Sequence, residues 1–325
     1  MAVASDSLTS RTSADEGDTG GRLDLVGRRV LDAVEVADDF QAQLELETLV
    51  HLLPEDGPST AEAMAQWVRA HPAYARLDGS RVVSARGIDS PIRSDRRLRA
   101  EQYFRAAEWL IRSDLRISLP WLRFAGVTGS TAYGEPTETD DCDLMAVVRP
   151  GMVWLFLAYA FLRLRLRRRV PGPFNEPQWC LNYVLDDRAA RREYSRARGF
   201  LFAREALLVR PVSGEAYYRG LLTSSDWLRR EAPRLYARWD LHPGPAPPDS
   251  PPSLWIVRAL NAIVFPVLAA YLQCKGLWTN HRLTATGREE QAFRTVTRLD
   301  RMVLATRKFE RLASRWASAS RLNPE

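Results

Sequence analysis

Between positions 23 and 53 apolar residues recur at helical spacing, with Val26, Val30, Val34, Leu44, Leu49 and Leu52 on the repeat, and Pro54 and Gly57 close the segment. Ser59 and Thr60 then cap a short helix reaching about Ala70, with Glu62 in its first turn. The following stretch LDGSRVV predicts a hairpin turning at its Asp-Gly pair. Helix, helix and two-stranded wing together outline a winged-helix-like segment over residues 23–91. Residues 92–119 predict an Arg-rich connecting helix with Phe104, Trp109 and Leu110 apolar.

Strand signals come next. LRFAGVTGS is a strand entering a turn, and CDLMAVV is a second strand bounded by Pro150 and Gly151. A helix from Met152 to about Arg168 leads to a third strand in QWCLNYVLDD. Strand, loop, strand, helix, strand predicts an α+β domain built on a small mixed sheet over residues 92–240, completed by helices at 193–209 and 214–230. HPGPAPPDSPP supplies a Pro-rich linker, 241–252, ahead of a C-terminal helical region, 253–325. That region divides into an apolar helix over 254–272 and a basic amphipathic helix over 289–316. Residues 1–22 read as a disordered tail, without the apolar run of a secretory signal.

Two apolar stretches raise the question of a membrane. Residues 152–162 are too short to span and end in Arg163, Arg165 and Arg167, while 254–272 carries Arg258, Asn261 and Pro266. Both are expected to be buried helices, with no integral membrane segment. A peripheral attachment through 254–272 and the basic helix after it is the weaker reading.

Composition sharpens this only slightly. Among 325 residues, 46 Lys and Arg against 40 Asp and Glu leave a net charge of +6, and lysine occurs only at Lys275 and Lys308. Arginine suits phosphate and carboxylate recognition, and a high-GC genome produces the same bias. Cys142, Cys180 and Cys274 follow no metal-ligand spacing or disulfide framework, which fits a reducing cytoplasm. With 4 histidines, a His-built zinc site or triad is not expected.

Candidate chemistry is concentrated in GVTGSTAYGEPTETDDCDLMAVV, residues 126–148. Gly129 and Ser130 lie at a strand exit, where backbone N–H groups of Gly129, Ser130 and Thr131, with the hydroxyls, can cup anionic oxygens. Asp141 and Asp143 are i and i+2, so on a strand they project from one face. Their mutual repulsion calls for a cation, and oxygen ligands without His select a hard metal: Mg²⁺, with Mn²⁺ the alternative. Such a pair supports in-line attack on a nucleoside triphosphate with pyrophosphate leaving.

A Gly-Ser turn followed by Asp-x-Asp at a strand start resembles the signature of the DNA polymerase β-type nucleotidyltransferase superfamily. Residues 46–233 more widely resemble a bacterial group of nucleotidyltransferase-domain proteins with a winged-helix-like segment ahead of the site, through RPGMVWL, CLNYVL and FAREALLVRPVSGEAYY. The resemblance implies nucleotidyltransferase topology in the sheet. It also implies phosphate contacts from Gly129 and Ser130, and metal ligation and catalysis by Asp141 and Asp143. The family places a third carboxylate on a later strand, and here the matching polar position is Asn182. Asp186 and Asp187 lie at that strand's far end, and Glu205 on the following helix is another candidate. The departure leaves three options: an acceptor needing little base assistance, a substituted carboxylate, or a nucleotide binder with weak catalysis.

The implied function is Mg²⁺-dependent transfer of a nucleoside monophosphate to an unidentified small-molecule, protein or RNA-end acceptor. The alternative is a nucleic-acid-binding winged-helix regulator with a degenerate transferase fold. It is not favoured, because neither N-terminal helix carries a dense arginine face. Arg163 and Arg167 share a helical face that either reaches a triphosphate or, as preferred, forms a solvated helix end. Tyr133, Trp179 and Tyr183 are candidates for base stacking, with burial the commoner explanation.

Overall fold

A computed structural model describes residues 25–39, 44–85, 95–167, 177–241, 253–307 and 309–311. The expected tail at 1–22, the linker from 242 onward and the stretch after 311 lie outside the described residues. The chain is mixed α+β with two open sheets.

Helix α1 (Leu25–Asp39), strand β1 (Leu44–Glu45) and helices α2 (Leu46–Leu52) and α3 (Ala61–Ala70) precede the hairpin β2 (Ala75–Asp78) and β3 (Arg81–Ser84). The expected cap is present: Thr60 Oγ1 accepts the Ala63 N–H at 3.1 Å. Strand β1, which hydropathy alone did not separate from the helices, pairs antiparallel with β3 to give the sheet order β1-β3-β2. Arg234, in a later helix, donates to the carbonyls of Val50, Glu55, Gly57 and Pro58, fastening this segment to the rest. Val30, Leu49 and Met64 share a hydrophobic core with Leu185, Tyr218 and Leu228, so the N-terminal segment is packed onto the main body.

Helix α4 (Asp95–Trp109) ends in a π turn (Leu110–Asp114), shortening the predicted long helix. The main sheet then begins. Strands β4 (Leu122–Thr128) and β5 (Cys142–Val148) flank the short helix α5 (Gly129–Tyr133). Helix α6 (Val153–Arg167) crosses to β6 (Trp179–Asp186). Beyond it come α7 (Asp187–Tyr194), α8 (Gly199–Leu208), β7 (Arg210–Ser213), α9 (Glu215–Thr223), α10 (Asp226–Glu231) and α11 (Pro233–Ala237). The C-terminal part is α12 (Trp255–Ala285) followed by a hairpin, β8 (Phe293–Arg298) and β9 (Arg301–Thr306). Strand order is β7-β4-β5-β6-β9-β8, parallel only between β5 and β6.

Two expectations are corrected here. The basic helix expected at 289–316 is, through residue 306, a short 3-10 turn and the β8–β9 hairpin. Arg294, Arg298 and Arg301 mimic helical spacing, but the β-branched FRTVTR and the turn at Leu299-Asp300 favour strands. Met302 is fully buried beneath the hairpin, and Arg294 and Arg298 are exposed.

The second correction concerns the apolar helix. It was expected buried and limited to 254–272, yet α12 has 31 residues and only 17% of its most apolar window is buried. Pro266 is accommodated inside it on the exposed side, where its ring meets no neighbouring element. The 152–162 stretch, by contrast, is buried as expected, with Trp154, Phe156 and Leu157 wholly enclosed.

The inner side of α12 is held by polar contacts. Asn261, 1% exposed, accepts the Trp154 N–H at 2.8 Å and the Leu155 N–H at 3.4 Å, so α12 caps the first turn of α6. Asn261→Leu leaves those donors buried and unpaired. It is expected to cost about 1–3 kcal/mol, measured as a drop in denaturation midpoint against the wild-type chain.

Candidate metal centre

Strand pairing alone brings the conspicuous residues together. Because β4 and β5 run antiparallel, Thr128 at the exit of β4 lies opposite Asp143 at the start of β5. Because β5 and β6 run parallel, Cys180 lies on the other side of Asp143. The chain leaves β4 at Gly129 with φ +66°, and a Cβ there would stand 2.6 Å from Asp143 Oδ2. Both the dihedral and the space demand glycine. Helix α5 closes at Gly134, φ +82°, where the Glu135 N–H returns to the Ser130 carbonyl at 3.0 Å.

The loop from α5 to β5 is braced. Arg96 pairs with Glu135 at 3.4 Å, and Arg99 donates to the Pro136 carbonyl at 3.1 Å. Asp140 accepts the Thr137 N–H at 2.9 Å and its hydroxyl at 2.7 Å. Rather than forming a solvated connection, α4 holds this loop, with Arg96 itself buried.

One ligand atom from each of Asp141, Asp143 and Cys180 lies within 4.8 Å of the others. Asp141 stands exposed at the rim, and Asp143 and Cys180 are half-buried. Burial, then the neighbouring Asp141 carboxylate, pushes Asp143 well above the usual carboxylate range. Burial also raises Asp141, opposed by a hydrogen bond from Cys180. Burial and the two carboxylates raise the Cys180 thiol, which keeps its proton and donates to them. Without a cation the group is electrostatically costly, and a bound cation reverses all three shifts.

The surroundings fit a divalent ion beside an anion. Thr128 Oγ1 and Asn182 Oδ1, on the strands either side of β5, are buried without a hydrogen-bond partner among the described residues. The missing Cβ at Gly129 lets the Asp143 carboxylate lie directly against the backbone at the start of α5. Two carboxylates suit Mg²⁺ or Mn²⁺, and a thiol as third neighbour is softer than an all-oxygen set.

The other candidates fall differently. Ser130 is partly exposed on α5, whereas the Thr131 side chain is fully buried, its hydroxyl without a hydrogen-bond partner among the described residues, leaving only its backbone for an anion. Asn182 occupies the bulge where β6 slips against β5, and the residue facing Asp143 is Cys180 and not Asn182. Asp186 and Asp187 are excluded by position and use. Asp186 pairs with Val148 at the far end of β5 and accepts the Ala189 N–H at 2.8 Å. Buried Asp187 accepts the Tyr217 hydroxyl at 2.5 Å.

Glu205 is bonded by the Tyr133 hydroxyl and by Arg204 at 2.8 Å, beneath α5. Burial pushes its carboxyl up to about 8 and lowers Arg204 to about 10, while their mutual contact works against both shifts. Arg163 and Arg167 share a face as expected, but they clamp Asp114 at 3.1 and 3.4 Å, and Arg167 covers the Trp109 ring at 3.9 Å. Tyr183 receives a bond from Arg198 at 3.4 Å, and the Trp179 indole N–H is buried without a partner among the described residues.

Cys180 is the residue that sequence reasoning missed. Its place opposite Asp143 depends on the register between β5 and β6, which neither strand's own sequence states. No protein-family model, curated protein or solved structure matches the chain.

Gly129→Ala is expected to displace the Asp143 carboxylate and destabilise the fold by about 1–3 kcal/mol, read by thermal denaturation. Glu205 gives a pH test. Its carboxyl titrates near 4.5 when unfolded and about 8 when folded, so the folded state holds the extra proton between those values. The associated stability is complete below the lower value and is lost as pH rises through the higher one. Wild type should lose on the order of 3 kcal/mol from this source between pH 5 and 8, and Glu205→Gln should lack that slope in denaturant titrations.

Proposed function

We propose that the chain is a divalent-metal-dependent nucleotidyltransferase that moves a nucleoside monophosphate from a triphosphate to a hydroxyl-bearing acceptor. The observation that carries this is the convergence of Asp141 and Asp143 on a side-chain-free backbone notch at Gly129. Strand pairing fixes that arrangement, and the Asp143 carboxylate lies too close to the Gly129 backbone to admit a Cβ.

Further support comes from connectivity. A Gly-Ser turn leaves one strand, the carboxylate pair opens its antiparallel neighbour, and a helix crosses to a parallel third strand. That order supports the reading, since the resemblance implies a sheet connected in this way. The N-terminal order helix, strand, helix, helix and hairpin likewise agrees with a winged-helix-like segment.

In this reading Asp141 and Asp143 hold Mg²⁺ or Mn²⁺, which supplies positive charge to the reacting phosphate and the departing pyrophosphate. The Ser130 hydroxyl and the N–H groups at the start of α5 orient the triphosphate. An acceptor oxygen bonds to the α-phosphorus, the bond to the bridging oxygen breaks, and pyrophosphate leaves. The two carboxylates are committed to the metal, and Asn182 cannot take a proton. The acceptor's proton therefore passes to solvent, which suits an acceptor that ionises easily.

Small-molecule or protein acceptors fit better than duplex nucleic acid. Helix α3 exposes Glu62, Gln66 and Arg69, a single cation among them. The test is transfer of an α-labelled nucleotide from each of the four triphosphates to cell extract, with Mg²⁺ or Mn²⁺. Asp141→Asn combined with Asp143→Asn should lower labelling by at least about 100-fold. Labelling that survives those substitutions, or proceeds equally in chelator, refutes the assignment.

A further inference from the structure

Helix α12 carries an apolar stripe that the fold leaves uncovered. Ile256, Leu260, Ile263, Val267, Tyr271 and Trp278 are each about half exposed or more, at helical spacing along one face. The stripe runs about 33 Å at 1.5 Å per residue. A contiguous apolar surface of that extent marks an interaction site.

Its opposite face decides how the helix is used. Besides the Asn261 cap on α6, Gln273 donates to the Thr295 carbonyl at 3.0 Å, and Asn280 exchanges two hydrogen bonds with the Phe293 backbone. Gly276 meets Thr295 so closely that a Cβ would lie 2.8 Å from its hydroxyl. One side of α12 is therefore bound to the domain along its length. A spanning orientation would strip off those bonds, whereas an in-plane orientation keeps them.

Charge selects the occupant. Residues 253–288 contain Arg258, Lys275, Arg282 and Arg288 and no acidic residue. Among the described residues none of these four has a carboxylate partner. Arg282 lies over the Trp278 ring at 4.8 Å, pairing an aromatic with a cation at the edge of the stripe. Two copies joined through this face would bring Lys275 and Arg282, which flank the stripe, against their counterparts, whereas Arg258 sits on the docked side against Gly151. An anionic lipid headgroup layer offers the complementary charge, with acyl chains for the stripe and an interfacial level for Tyr271 and Trp278.

We infer that α12 lies flat in the surface of an anionic lipid bilayer, docking the protein as a peripheral membrane protein. The full chain should float with mixed phosphatidylcholine–phosphatidylglycerol vesicles and only weakly with phosphatidylcholine alone. Ile263→Glu with Val267→Glu, both at exposed positions, should abolish flotation without changing the denaturation midpoint. Lys275→Gln, Arg282→Gln and Arg288→Gln together keep the apolar face intact. They should weaken binding on the order of 100-fold, from roughly fivefold per basic residue at an anionic surface. A wild-type chain that stays at the bottom of the gradient with both vesicle types overturns the inference, as does flotation unaffected by the Glu substitutions. So does a dimer in sedimentation that those substitutions disperse, since it would identify a second copy as the occupant.

Discussion

Two carboxylates pressed together beside a backbone with no room for a side chain set the constraint on which the rest of this structure turns. Asp143 is fixed from both sides, by Thr128 across the antiparallel pair and by Cys180 across the parallel one. The notch at Gly129 exists because residue 129 has no Cβ and adopts a left-handed φ. Repulsion within the pair favours either protonation or a cation, and the partnerless Thr128 and Asn182 oxygens nearby are the kind of leftover polarity a filled site would satisfy. Hydrophobic cores on both faces of the sheet oppose the strain: Met145 and Val147 on one, Leu144, Ala146 and Val148 on the other. A site of this cost persists only on strands that cannot shift.

Arginine chemistry holds the periphery. Arg96 and Arg99 brace the loop leading to Asp141, and Arg163 and Arg167 converge on Asp114. Arg234 gathers four backbone carbonyls from the end of α2 and the loop after it. These are forked, multi-donor contacts that lysine could not reproduce. The basic composition is thus partly spent inside the molecule, which weakens any inference from net charge to nucleic acid. The uncompensated cations that matter are those along α12.

Much of the fold was legible because local signals and tertiary packing agreed. The Thr60 cap, the β2–β3 hairpin and the succession β4, β5, α6, β6 all follow from period and punctuation. Asp141 and Asp143 were legible for the same reason, since alternation on a strand needs no knowledge of its neighbours. Cys180 was not, because its relation to Asp143 depends on the register between β5 and β6, which no single strand announces. β7 has four residues, one of them Pro211, and reads as a connection until β4 is present to pair with it. In the β8–β9 hairpin, arginines spaced three and four apart outweighed the β-branched pattern. For α12, length and apolarity predicted a helix correctly but not its burial, because an apolar helix is drawn to whichever apolar phase it meets.

The two faces of the main sheet divide the labour. Alternation along β5 directs Asp143 to the side of Met145 and Val147, where α8 and its neighbours pack, while α6 and α12 cover the other side. Along the strand the separation is also large. Asp143 lies at the start of β5, and Asn261 caps the helix that follows its end, about 15–20 Å away at the rise of an extended chain. A surface engaging α12 would therefore approach from the face opposite the carboxylates, leaving Asp141 open to solvent. The β8–β9 hairpin, paired to β6 and hydrogen-bonded to α12, forms the rigid link between them. Attachment and chemistry are consequently separable in this architecture: substitutions on the exposed stripe touch neither the core beneath Asp143 nor the notch at Gly129.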